Sequence, residues 1–160
     1  MEFVKEMVTL CQKADIIVPN ITEACFLLNR PYLETYTKED IEALLNDLAN
    51  LGIPQVVLTG VKFKDNELGV ASFTKETGEI NYYFREEVPY SFHGTGDIYA
   101  SCFFGALMND FNLQESMKIA VDFTVDAILK TVEDRNEHWY GVHFEAVLPS
   151  LIKAISSKNN

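Results

Sequence analysis

At 160 residues the chain is the size of one ordinary domain, and a 48% hydrophobic content supplies material for a real core. The balance of 24 acidic against 13 basic residues, a formal charge of −11, leaves no basic stripe for a duplex. Nucleic acid is therefore excluded as a partner, and an anionic ligand would need local help from backbone N–H groups, helix N-termini or a cation.

The three cysteines, Cys11, Cys25 and Cys102, form no CxxC pair and sit in apolar stretches. They read as buried free thiols and point to a reducing, cytoplasmic compartment. The N-terminal MEFVKEMVTLCQKAD has no signal-peptide pattern. No stretch reaches the roughly 18 apolar residues of a membrane helix.

In chain order, residues 3–13 read as a short helix with Phe3, Met7 and Leu10 on one face. Ile16, Ile17 and Val18 form an apolar run ended by Pro19, the pattern of a buried strand. A helix is expected over 22–29, opened near Thr22. A clear amphipathic helix starts at Thr37, where Thr37 and Asp40 resemble a capping box. Its apolar stripe is Ile41, Leu44, Leu45 and Leu48, and Gly52 and Pro54 end it. Gln55–Gly60 reads as a second buried strand, so the order strand–helix–strand predicts a parallel βαβ unit. Residues 67–75 and 79–84, split by Glu76-Thr77-Gly78, predict a hairpin. Helices follow over about 98–108, 113–132 and 144–155. The expected architecture is a single α/β domain over 1–160, a three-layer sandwich with a mostly parallel sheet and a hairpin near its edge.

Three segments carry candidate chemistry. Gly94-Thr95-Gly96-Asp97 is a glycine-rich turn opening a helix. Such a turn aims N–H groups at one point, and the helix start adds unpaired donors and the positive end of the dipole. That arrangement stabilises a phosphoryl group in transit, and a carboxylate beside it can take a proton from an attacking hydroxyl. The tetrapeptide also reads as a plain helix cap. Asn20-Ile21-Thr22-Glu23 follows a strand end, where ligands of parallel α/β sheets sit. Asn20 and Glu23 could hold Mg²⁺ there through waters, or simply cap a helix. Thr59-Gly60 ends the second strand, and either meets a phosphate or makes an ordinary turn.

Together these segments resemble a known family. ADIIVPNITEACFLL, VVLTG and FHGTGDIYASCFFGAL are similar to the corresponding stretches of vitamin B6 (pyridoxal/pyridoxine) kinases of the ribokinase superfamily, as are DFTVDAILKTVED and YGVHFEAVLPSLI. The resemblance implies a ribokinase-like fold and ATP-dependent phosphorylation of the 5′-hydroxymethyl of pyridoxal, pyridoxine or pyridoxamine. It implies Asp97 as the base and Gly94, Thr95 and Gly96 as the anion hole. It also implies Asn20 and Glu23 around Mg²⁺ and Thr59 and Gly60 at the nucleotide. Hydroxymethylpyrimidine kinase activity is the near alternative; an inactive nucleotide-binding or assembly half is the other. Two positions depart from or add to the family pattern: Val18 stands where members often carry Thr, and His93 precedes the motif. Members are also longer, with N-terminal strands that this sequence lacks. The resemblance thus implies only the C-terminal portion, a truncated product or half of a split protein, and a homodimer or a dependence on the missing half.

Other groups read as packing. His138, Trp139, Tyr140 and His143 lack the spacing of a zinc site. Tyr82, Tyr83 and Phe84 lack the basic interleaving that base stacking needs.

Overall fold

The computed structural model describes residues 2–134 and 141–159. Its backbone contacts divide the chain into two compact units, Met1–Phe84 and Arg85–Asn160.

The first unit holds α1 (Glu2–Cys11), β1 (Ile16–Ile17), α2 (Ile21–Leu27), α3 (Lys38–Asn50), β2 (Gln55–Val61), β3 (Glu67–Thr74) and most of β4 (Glu79–Glu86). The four strands form one mixed sheet in the order β1-β2-β3-β4. β1 and β2 run parallel, with Ile16 opposite Gln55, and so complete the βαβ unit expected from the sequence. β2 and β3 run antiparallel, with a bulge between Thr59 and Val61. β3 and β4 are neighbours joined by the turn at 75–78, where Gly78 takes φ +70°, a conformation that favours glycine.

The helical stripe explains the core. Ile41, Leu44, Leu45 and Leu48 of α3 are all buried, together with Ile17, Val56, Leu58, Val61, Ala71 and Phe73. Apart from Ala71, each such side chain contributes roughly 1.5–3 kcal/mol on burial. Phe63, Ile80, Tyr82 and Phe84 pack against this cluster, which confirms the packing role of Tyr82 and Phe84. The Tyr82 hydroxyl donates to Glu42 at 2.8 Å. Burial, followed by the Glu42 carboxylate, pushes the Tyr82 pKa up.

α1 forms where the sequence places it, but part of its apolar stripe stays uncovered. Phe3 and Leu10 are 74% and 63% exposed. An apolar stripe shows that a helix has a face for burial but does not supply the surface that covers it.

α3 begins where the sequence places it. Thr37 is the N-cap, its hydroxyl accepts from the Asp40 N–H, and an Asp40 carboxylate oxygen accepts from the Thr37 N–H at 2.9 Å. The Thr37 N–H and then the Thr37 hydroxyl, which also donates to the carboxylate at 2.9 Å, hold the Asp40 carboxyl below the usual range. A folded-state pKa below the unfolded one contributes stability at neutral pH that is lost as pH falls through the carboxylate range. Asp40→Asn is therefore expected to lower the urea midpoint near neutrality. The gap from wild type should close below about pH 4, and an equal gap at both pH values would disprove the role of the charge.

The second unit holds α4 (Thr95–Leu107), α5 (Leu113–Glu133), a 3₁₀ turn (Phe144–Val147), α6 (Leu148–Ser156) and a final 3₁₀ turn (Ser157–Asn159). The last predicted helix is thus a 3₁₀ turn followed by α6. Pro149 sits in the first turn of α6, where its missing N–H costs no helical bond. Phe103, Ala106, Met117, Ala120 and Ala127 are fully buried in this unit. Arg85 binds Asp122 of α5 at 2.7 Å and Asp126 at 3.5 Å. Cys25 and Cys102 are buried free thiols as expected; Cys11, also free, is only half-buried. Burial pushes the Cys102 thiol up to about 11, which keeps it protonated and unreactive.

Candidate functional site

In the first unit, two of the three candidate segments meet. β1 ends at Ile17, and the line of pairing resumes at Asn20, which bridges Thr59 in parallel fashion. The Thr59 N–H donates to the Pro19 carbonyl at 2.9 Å, and its hydroxyl reaches the same oxygen at 3.5 Å. Gly60 follows at the bulge with φ +78° and open space around its Cα. Asn20, Glu23, Thr59 and Gly60, separated by up to 40 positions in sequence, thus lie at adjoining strand ends.

Asn20 is also the N-cap of α2, two residues before the helix start expected at Thr22. Its Oδ1 accepts from the Glu23 N–H at 2.8 Å, and Glu23 Oε2 accepts from the Asn20 N–H at 2.9 Å. The cap reading is realised, and it fixes the carboxylate at the strand end. The second Glu23 oxygen stays on an exposed side chain. Among the described residues, no group of three or more His, Cys, Asp or Glu is placed to hold a metal ion. The donor set fits a hard cation that keeps most of its waters and takes one carboxylate plus phosphate oxygens, which is the habit of Mg²⁺.

In the second unit, Gly94 is the N-cap of α4, in the left-handed conformation with φ +82°. Only a residue without Cβ adopts this without strain. The helix starts at Thr95, three residues earlier than the sequence reading. Its first internal bond runs from the Ile98 N–H to the Gly94 carbonyl at 3.0 Å. Thr95 does not cap the helix; its hydroxyl donates to the Phe92 carbonyl at 3.4 Å.

The contrast with the other helices is informative. α2, α3 and α5 each open on a complete capping box, Asn20/Glu23, Thr37/Asp40 and Asn112/Glu115. In each, the acid three residues past the cap folds back onto the cap N–H. Asp97 occupies that same position in α4, yet no side-chain bond closes the cap. Its carboxylate is exposed, and the N–H groups of the first turn keep no helical acceptor. Donors and a carboxylate are left side by side at the positive end of a helix.

A cleft of about 530 Å³ opens beside them, lined by His93, Gly94, Asp97, Ile98 and the segment from Gly141 to Glu145. His93 therefore faces the cleft rather than an ordinary loop surface. His143, assigned above to packing, lines the same cleft; no spacing in the sequence links it to Asp97. His138, Trp139 and Tyr140 lie outside the described residues.

The family profile described as phosphomethylpyrimidine kinase matches residues 1–141. No curated protein sequence matches the chain significantly. Among solved structures, the chain is similar to a Bacteroides thetaiotaomicron protein assigned as a phosphomethylpyrimidine kinase. That likeness has TM-score 0.89 at 30% identity, over 94% of this chain and 52% of the other. A second crystal form of that protein, with pyridoxal, gives 0.87 at 31% identity, over 94% and 54%. Pyridoxal kinase from Lactobacillus plantarum gives 0.84 at 29% identity, over 95% and 54%. An ADP complex of Bacillus subtilis pyridoxal kinase gives 0.67 at 25% identity, over 79% and 47%. The chain spans about half the length of these structures. With a family profile over most of its length and an α/β fold shared with pyridoxal kinases, the chain belongs to the phosphomethylpyrimidine kinase family of ribokinase-like proteins.

Proposed function

We propose that residues 1–160 form the C-terminal, nucleotide-binding portion of a kinase that moves the γ-phosphoryl of ATP to the 5′-hydroxymethyl of pyridoxal, pyridoxine or pyridoxamine. The observation that carries this reading is the start of α4 with no side-chain cap bond and Asp97 exposed in its first turn. Asp97 takes the hydroxyl proton as the oxygen attacks the γ-phosphorus. The bond from that phosphorus to the bridging oxygen breaks, and ADP leaves. Gly94, Thr95 and Gly96 hold the charge of the transferring group through backbone N–H groups. Thr59 and Gly60 contact the nucleotide, and Asn20 and Glu23 hold Mg²⁺ through waters. When bound, Mg²⁺ neutralises charge on the β- and γ-phosphates.

The relatives support the choice of ligands: one was solved with pyridoxal and another with ADP. The family's own description, phosphomethylpyrimidine kinase, keeps a substituted methylpyrimidine as the second acceptor class. Among the described residues no helix is long and apolar enough to cross a membrane; we place the protein in the cytoplasm. β1 is an edge strand of the sheet. A second copy of the chain, or the half that the relatives carry in addition, is proposed to complete it.

Calorimetric titration with ATP and Mg²⁺ is expected to show binding, however weak. No heat and no thermal shift at about millimolar nucleotide, a concentration for which Kd corresponds to roughly −4 kcal/mol, would remove the nucleotide from the reading. Binding without turnover of either acceptor would leave an inactive nucleotide-binding half.

A further inference from the structure

The wall of the cleft that follows residue 140 has no assigned role. It runs from Gly141 to Glu145, and one hydrogen bond ties it to α5. The His143 N–H donates to the Thr131 hydroxyl at 2.8 Å, and that hydroxyl donates to the Ala127 carbonyl at 2.7 Å. Thr131 is 3% exposed, and Val142 beside the bond is 5% exposed. A buried hydroxyl with both its donor and an acceptor site engaged fixes the segment at one height along the helix, because slipping by one residue would leave buried polar groups unpaired. The wall is thereby held against the Asp97 side: a Cβ at Gly141 would lie 3.6 Å from the His93 carbonyl oxygen.

The charge of the cleft says what the wall is for. Asp97 and Glu145 are both acidic, and the chain as a whole carries −11. Among the described residues that line it, the side chains able to carry positive charge are the imidazoles of His93 and His143. His143 is 37% exposed, with Nδ1 3.6 Å from Asp134. We propose that Thr131 is a positioning residue. It anchors the 141–145 wall so that the His143 imidazole faces the same cleft as Asp97 and contacts the phosphates of a bound nucleotide. This rests on the nucleotide reading of the Asp97 cleft given above.

Two measurements on the full chain test it: amide hydrogen exchange of 142–145, and calorimetric MgATP affinity. Thr131→Val is expected to weaken MgATP binding by about 3–10-fold, the value of one net hydrogen bond. It should also lower protection of the wall, and Thr131→Ser should restore both. His143→Ala should weaken MgATP binding while the wall keeps its protection, which separates the ring from the anchor. If Thr131→Val fails to fold, His143→Pro removes the same bond from the donor side, at a φ of −80° that proline accepts; the same double loss is expected. Wild-type protection in Thr131→Val would overturn the anchor. Lost protection with unchanged affinity would overturn the ligand contact. Wild-type protein that binds no MgATP would overturn the nucleotide reading and the contact together, while exchange still decides the anchor.

Discussion

Asp97→Asn should cut phosphoryl transfer by about 10²–10⁴-fold, the usual contribution of a positioned base, and leave MgATP affinity nearly unchanged. The amide keeps the shape of the carboxylate and loses the ability to accept a proton. Little else depends on the side chain. It is exposed, and the cap of α4 has no side-chain bond to lose. Removing an acid from a helix N-terminus costs about 0.3–1 kcal/mol, which leaves the fold in place. Affinity holds because none of the proposed contacts to phosphate comes from the Asp97 side chain. A coupled ADP-release assay with pyridoxal reads the rate, and calorimetry reads affinity. A variant that kept most of its turnover would return Asp97 to the role of a dipole partner.

The largest stability effect is expected at Gly69. A Cβ placed there would sit 2.6 Å from Phe84 Cδ1, 2.9 Å from Phe84 Cα, and closer still to the Tyr83 carbonyl oxygen. Two of these three atoms belong to the backbone of β4, so no rotamer change relieves them. β3 and β4 would have to separate, which would disturb Tyr82 and Phe84 where they pack on the core. Overpacking commonly costs about 1–3 kcal/mol, and a clash with backbone belongs at or beyond the upper end. Gly69→Ala is therefore expected to lower stability by roughly 3 kcal/mol or more, read by urea unfolding. Gly78→Ala is the control. Nothing lies within 4 Å of its added Cβ, and only the left-handed backbone resists it, at about 1–2 kcal/mol. Equal losses at both glycines would show that the β3–β4 approach is looser than described.

Much of this molecule is legible in short stretches of sequence. The Thr37–Asp40 box, the stripe from Ile41 to Leu48 and the turn around Gly78 all form where spacing places them. So does the parallel pairing of β1 with β2. Each depends on residues a few positions apart, or on the short list of ways two apolar strands and a helix can close. The glycine at 94 belongs to this class, since a left-handed residue at a helix start asks for glycine whatever surrounds it.

Other features depend on distant segments meeting. The sequence marks Asn20 and Thr59 as separate weak candidates; register in the sheet makes them neighbours. Gly69 carries no mark of its importance until β4 lies against it. The exposure of Phe3 and Leu10 could not be read from their stripe. His143 lines the cleft and gives its N–H to a buried hydroxyl on α5, and no local pattern marks either. Local chemistry is written in the identity and spacing of neighbouring residues, so sequence alone determined the elements, the cap of α3 and the candidate groups. Which groups share a site is decided by the packing of whole elements against one another, and that belongs to the tertiary structure.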